Sequence, residues 1–185
     1  MGDVVLTTER LELCRIGKGD AALQFEHLNT PAIMEHLGGP KTLEEITAKH
    51  EKARASFDRD GFGFMLLFER DGGELFGHAG LKQVDNPLAG NVGDFEIGWL
   101  VREDRWRMGY ATEAMIAVIH WAFDTHNAPH LVALTSESNV PSWQLMEKLG
   151  MERRKDLDFE DPAYPPQDNP TIQYSLTKAQ WEQRQ

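Results

Sequence analysis

The chain has 185 residues, enough for one domain with a full hydrophobic core. Hydrophobic residues make up 41% and charged residues 26%, which argues against disorder, and no apolar run approaches the roughly 18 residues of a membrane span. The formal net charge of −11 repels phosphate backbones and so argues against nucleic acid as a partner; it favours solubility and attracts cations such as amines.

Met1 to Glu9 lacks a basic stretch followed by an apolar core, so no secretory signal is expected. Arg10 to Ile16 alternates Leu11 and Leu13 against Glu12 and reads as a strand. It carries Cys14, the sole cysteine, expected to be a structural thiol. One cysteine allows no intrachain disulfide and no cysteine-built metal site, so a reducing cytoplasm is the expected compartment. Asp20 is expected to cap a short helix through Leu28, and Thr30-Pro31 to start another that Gly38-Gly39-Pro40 stops. Thr42 and Glu45 form a capping box for a longer helix ending near Asp60-Gly61. Phe62 to Glu69 and Leu75 to Val84 read as paired strands around a turn at Asp71-Gly72-Gly73, and Asp85 to Gly93 as a polar loop.

Asp94 to Val101 is the next strand. Tyr110 to Asp124 is the clearest helix, with Ala111, Ala114, Met115, Val118 and Ala122 on one stripe. His130 to Thr135 is a short strand, and Asn139 to Leu149 a helix with Gly150 as its stop. Arg153 to Asp158 reads as a strand, Asp161 to Pro170 with its prolines as a loop, and Thr171 to Leu176 as the closing strand. Thr177 and Gln180 suggest a capping box for a last short helix. Helices and strands intermix without a linker, which predicts one α/β or α+β domain, residues 1–185, with a mixed sheet.

Chemistry concentrates between Asp94 and Ala114. A strand ends at Val101, a charged turn follows, then Trp106-Arg107-Met108-Gly109-Tyr110-Ala111 opens a helix. A helix start offers unpaired N–H groups and the positive end of the dipole, an arrangement that binds phosphate. Gly109 and Ala111 allow close approach, Arg107 adds a charged donor and Thr112 a hydroxyl. A plain strand-to-helix turn would use the same glycine. GxGxxG and GxxxxGK[ST] are both missing, which argues against dinucleotide and P-loop enzymes. Gly98 inside the strand suggests a bulge, leaving backbone groups of Leu100 and Val101 free to pair with an extended, amide-bearing ligand such as pantetheine.

This segment resembles the coenzyme A signature [Q/R]xxGx[G/A] of the GNAT superfamily of N-acetyltransferases, with its RimJ/RimL-like branch the nearer match. TERLEL from Thr8, EIGW from Glu96, NVPSWQLMEKLGM from Asn139 and QYSLTKAQW from Gln173 agree in order. Trp106 departs from the pattern, standing where it has Gln or Arg. The resemblance implies a GNAT fold: a central, mixed, mostly antiparallel sheet splayed into a V and flanked by helices, with acetyl-coenzyme A in the opening. It implies that N–H groups from Arg107, Met108, Gly109, Tyr110, Ala111 and Thr112 hold the pyrophosphate, that Leu100 and Val101 pair with pantetheine, and that Asn139 and Ser142 lie beside pantetheine and sulfur. It also implies an amine acceptor and, in this branch, frequent homodimers.

Glu96 shares a strand face with Gly98 and Leu100 and is the candidate general base; an ion pair on the sheet surface is the competing use of the same side chain. Ser142 is the candidate acid for the leaving thiolate, because Leu145 and Met146 stand where many relatives carry Tyr. Asn139 also suits a helix N-cap. Trp99, Trp121 and Trp143 read as core. His126 and His130 are separated by Pro129, so no metal site is expected. Asp156, Asp158, Glu160 and Asp161 are expected either to hold a cationic acceptor or to form a solvated acidic loop. An acetyl-coenzyme A dependent N-acetyltransferase is the leading reading. A catalytically inactive acyl-coenzyme A sensor is the alternative, and a nucleotide or phosphate enzyme using the same turn is a third.

Overall fold

At Thr42 the hydroxyl accepts from the Glu45 backbone N–H at 3.2 Å while the Glu45 carboxylate accepts from the Thr42 N–H at 2.7 Å, closing the expected capping box. The computed structural model, which describes residues 2–70 and 72–184, runs helix α2 from that cap over Leu43–Asp60 and ends it at Gly61, φ 79°. Thr177 and Gln180 close a second box, starting the last helix, α5 (Lys178–Glu182). Helix α3 spans Tyr110–Asp124, the predicted bounds, because Gly109 at φ 83° admits the turn and the apolar stripe buries Ala114, Met115, Val118 and Ala122. Helices α1 (Asp20–Leu28) and α4 (Val140–Lys148) complete the set.

Eight strands form one sheet: β1 (Val4–Thr7), β2 (Leu11–Arg15), β3 (Phe64–Glu69), β4 (Leu75–Gln83), β5 (Phe95–Val101), β6 (His130–Ser136), β7 (Glu152–Arg153) and β8 (Thr171–Thr177). Their order is β1-β2-β3-β4-β5-β6-β8-β7, and all neighbours are antiparallel except β5 and β6. The predicted α+β architecture with a mixed, mostly antiparallel sheet is therefore present. One face packs Leu13, Met65, Leu67, Ile97 and Val101 with the stripe of α3. The other face packs Cys14, Leu66, Phe68 and Leu100 with Leu28, Ile33 and Met34 from α1 and the segment after it. Burial pushes the Cys14 thiol up to about 11, which keeps it protonated. Trp121 is buried in the α3-side core, and Trp99 and Trp143 pack against it.

Several local expectations change. β1 was not predicted; its short apolar run pairs with β2 across the turn at Thr8. Asp20 is not the cap of α1. Gly19 occupies that position, and the Asp20 carboxylate accepts from Gly17 N–H at 2.8 Å. The expected helix after Thr30-Pro31 is a turn and one 3₁₀ turn (Glu35–Leu37), cut short by Gly38 and Gly39 at positive φ. The strand expected over Arg153 to Asp158 stops at Arg153, because Arg153–Asp158 and Arg154–Asp156 pairs curl the chain into a 3₁₀ turn. Gly98 carries no bulge: the β4–β5 register is unbroken and the Phe64 ring fills the space over it, 3.0 Å from where a Cβ would stand. The turn at Asp71-Gly72-Gly73 includes Asp71, which lies outside the described residues.

Candidate active site

β5 and β6 run parallel and share a single register pair, Glu96 opposite Val132. Beyond it toward Val101 and Ser136 they share no rung, which makes the V. Arg102 N–H donates to Phe76 O at 2.7 Å and Val84 N–H to Asp94 O at 2.8 Å. Polar backbone groups alternate along a strand, so Glu96, Gly98 and Leu100 aim theirs at β4, while Trp99 and Val101 aim theirs at the opening. Of the two expected pantetheine partners, Leu100 therefore pairs into the ladder opposite His78 and Val101 faces the V. The Val101 carbonyl accepts from Trp106 Nε1 at 2.6 Å, so the indole that replaces the Gln or Arg of the signature anchors the strand end.

The next turn carries Arg107 at φ 60° and Gly109 at φ 83°. No side chain caps α3, so the N–H groups at its start lack side-chain acceptors. Nothing but Arg10 Nη2, 3.5 Å away, stands near the Cβ position of Gly109, and Met108 and Arg107 are exposed. Arg10 braces this turn: it donates to Met108 O at 3.1 Å, pairs with Glu113 at 2.6 Å and lies 4.2 Å over the Tyr110 ring. Lys148 of α4 donates to Thr112 Oγ1 at 3.4 Å and adds a second cation beside the helix start. The turn is thus open, small and cationic, as a pyrophosphate requires.

At the vertex of the V, on the α2 side of the sheet, the Glu96 carboxylate lies 3.0 Å from Lys82 Nζ, which also donates to Asp85 at 2.7 Å. Burial pushes Glu96 above the usual carboxylate range, and the Lys82 ammonium offsets only part of this. Burial alone would lower Lys82, but its carboxylate partners outweigh it and keep the ammonium charged. Four residue steps lead from Val132 to Ser136, about 13 Å of rise, so proton traffic between Glu96 and the open end requires water. His78, level with Leu100, packs on Phe64 with ring centroids 5.4 Å apart. Burial lowers it to about 4, so it is a neutral imidazole and a weak base. Tyr164 faces the fields of Asp161, Lys82 and Glu96, and burial raises its phenol.

Asn139 precedes α4 but makes no side-chain cap bond, and the Ser142 hydroxyl has no hydrogen-bond partner among the described residues. Both stand at the helix start that follows the open end of β6. Beside them Asp168 Oδ1 accepts from His36 Nδ1 at 2.8 Å, Ser138 at 2.7 Å and Ser136 at 3.0 Å. This cluster ties the segment after α1 to the end of β6 and to the loop before β8. Burial would raise Asp168, but these hydrogen bonds outweigh it and hold the carboxyl below its ordinary range.

Three of the four acidic loop residues are committed within the loop and its neighbours. Asp156 and Asp158 pair with Arg154 and Arg153, and Asp161 accepts from Asn86 and from Ala163 N–H. His126 packs edge-on to Trp121, and His130 lies 3.0 Å from Asp94. Sequence reasoning missed Arg10, Lys82, Lys148, His78, Tyr164 and the His36–Asp168 cluster. Only Lys82 had a readable signal, since counting back from the Asp85 to Gly93 loop places it opposite Glu96.

The acetyltransferase (GNAT) domain family matches residues 10–152, and the chain belongs to it. It is 25% identical to the uncharacterized N-acetyltransferase YnaD of Bacillus subtilis (strain 168) over 148 residues, 80% of this chain and 82% of YnaD. The crystal structure of an acetyltransferase from Agrobacterium tumefaciens str. C58 superposes with a TM-score of 0.76 at 28% identity, covering 96% of each chain. The fold is shared with the ribosomal L7/L12 alpha-N-protein acetyltransferase RimL in complex with coenzyme A, at a TM-score of 0.76 and 13% identity over 95% of this chain and 98% of that one. By family this is an acetyl-coenzyme A dependent acyltransferase of the RimL-like type. Among the described residues, no helix is long and apolar enough to cross a membrane.

Proposed function

We propose that the protein transfers the acetyl group of acetyl-coenzyme A to a primary amine, a protein N-terminus or a small molecule, by direct attack with both substrates bound. The observation that carries this reading is the single rung between β5 and β6, which sets a cationic helix start on one side of the opening and the Glu96 carboxylate at its vertex. Acetyl-coenzyme A supplies an activated thioester. Arg107 and the N–H groups from Met108 to Thr112 hold its pyrophosphate, while Val101, with Trp99, offers backbone partners to the pantetheine amides. Asn139 and Ser142 flank the sulfur. Glu96 takes the proton of the ammonium acceptor through water, the freed nitrogen forms the new C–N bond, and the C–S bond breaks. Ser142 gives its proton to the departing thiolate and regains one from the nitrogen, which sheds its second proton as the amide forms.

Thermal unfolding with acetyl-coenzyme A, against ATP and NAD, tests the donor. At about one hundred times its dissociation constant a ligand stabilises by roughly 2.7 kcal/mol. A rise with acetyl-coenzyme A alone, followed by thiol release on adding amines, supports the reading. Binding without release for any amine makes the protein an acyl-coenzyme A sensor, and no rise at saturation refutes the donor assignment.

A further inference from the structure

Residues 30–38 cross the mouth of the V. At one end Thr30 Oγ1 donates to Glu103 Oε2 at 3.1 Å, in the turn that follows β5. In the middle Ile33 and Met34 pack with Leu100, which shares the strand face of Glu96. At the other end His36 Nδ1 lies 2.8 Å from Asp168 Oδ1 and 3.3 Å from Ser138 Oγ, just past β6. The strap lies on the side of the sheet away from α3 and its coenzyme turn, so an amine arriving on that side passes His36.

The ring is held by one nitrogen. Asp168 Oδ1 also accepts from Ser138 at 2.7 Å and Ser136 at 3.0 Å. Burial would raise this carboxyl, but the bonds from His36, Ser138 and Ser136 outweigh it, so Asp168 stays an anion and an acceptor. An acceptor beside Nδ1 fixes the ring proton there and leaves the lone pair on Nε2. Nε2 has no hydrogen-bond partner among the described residues and, unlike His50 Nδ1 and His126 Nε2, is not shut away from solvent. The His36 side chain is 23% exposed, and no second carboxylate lies within ion-pair reach of it among the described residues. Both serines stand on the carboxylate side of the ring. The dyad therefore has no hydroxyl nucleophile at Nε2 and is arranged to take a proton, not to form an acyl-enzyme.

Ser136 O accepts from Asn139 N–H at 3.2 Å, and Asn139 O accepts from Ser142 N–H at 3.1 Å. The residues proposed to flank the sulfur thus follow directly on the serines that touch the dyad. Glu96 stands at the vertex, about 13 Å of strand away. A proton leaving an amine beside the sulfur has one base near it and one far from it.

We infer that His36 is a catalytic residue whose Nε2 takes the proton of the acceptor ammonium, with Asp168 as the positioning residue behind it. This rests on the acetyltransferase reading and supplies the first carrier on the water route to Glu96. An ammonium N–H bond breaks and Nε2–H forms, which frees the nitrogen pair to attack the thioester. Asp168 balances the imidazolium. The ring then passes that proton to water and so to Glu96, whose side chain is 14% exposed and releases it to solvent.

The test is H36N, whose amide N–H can keep the bond to Asp168 but offers no base. Thiol release is followed with acetyl-coenzyme A and two small amines near neutral pH: propylamine, an ammonium there, and trifluoroethylamine, largely neutral there. H36N should lower kcat/KM for propylamine about 100-fold or more and for trifluoroethylamine by less than about threefold, since a neutral amine needs no base. The KM of acetyl-coenzyme A should not change. The acidic limb of the wild-type propylamine profile should carry two ionisations, and H36N should keep one, that of Glu96. Nitrogen-15 NMR of the coenzyme-loaded protein, with H36N assigning the signal, should place the ring proton on Nδ1 whichever amine is used. Equal loss for both amines, no loss, or a ring proton on Nε2 overturns the role of His36 and leaves the acetyltransferase reading intact. Absence of acetyl-coenzyme A binding overturns both.

Discussion

Arg10 and Glu113, 103 positions apart in the chain, meet at 2.6 Å, and the same guanidinium donates to the carbonyl of Met108. Thr8 Oγ1 and the Arg10 N–H complete the carboxylate's shell at 2.5 and 2.9 Å. The pair holds one peptide of the turn that starts α3, so that the carbonyl of Met108 points at Arg10. Arg10 is thus a positioning residue for the coenzyme turn. R10M should raise the KM of acetyl-coenzyme A about tenfold, roughly the cost of a charged hydrogen bond, and leave that of S-acetylpantetheine, which lacks the pyrophosphate, nearly unchanged. Equal loss for both donors would reduce Arg10 to a contributor to overall stability.

Arg107 is a non-glycine residue at φ 60°, a conformation costing about 1–2 kcal/mol for an L side chain. R107A keeps the strain and removes the charge; R107G removes both. R107G should be the more stable of the two by about 1 kcal/mol in urea unfolding, while both bind acetyl-coenzyme A more weakly than the wild type. Equal stability would mean that the turn relaxes when the side chain is shortened.

Glu96 must be deprotonated to accept a proton, so its pKa sets the acidic limb of the kcat/KM profile. Burial raises it and Lys82 restrains that rise. K82M removes the restraint, and the limb should move to higher pH. E96Q should lower kcat by about 100-fold or more with little change in coenzyme affinity. A limb that stays in place in K82M would assign it to another group.

Asp168 tests the latch between the cleft walls. Its folded pKa lies below its ordinary 3.8, so its contribution to stability is present above that value and fades as pH falls through the folded one. D168N should cost about 1–3 kcal/mol at pH 7 and progressively less below about pH 4, by urea unfolding at each pH. A loss independent of pH would show that size and shape, and not charge, matter there.

The legible parts of the sequence were those whose physics is local. Thr42 and Glu45, Thr177 and Gln180, and Gly109 with the stripe of α3 announce their elements within a few residues. Thr30-Pro31 misled because two glycines eight and nine positions on end the helix before it forms. Glu96 and Ser142 could be picked as candidates from pattern and resemblance. The partners that shape them could not, since Lys82 depends on strand pairing and His36 reaches Asp168 across 132 positions. Leu100 and Val101 show the limit in one dipeptide. Neighbours in sequence point their amides in opposite directions, and only the hydrogen-bond ladder says which faces the opening.

The sheet is five strands and three strands fastened by one rung at Glu96 and Val132. Such a joint behaves as a hinge pin between two stiff panels. A chain of amides laid between them acts as a temporary ninth strand, lending rigidity that departs with the product. Amide hydrogen exchange at Trp99 and Val101 would record that cycle directly, slow in the loaded enzyme and fast once the coenzyme leaves.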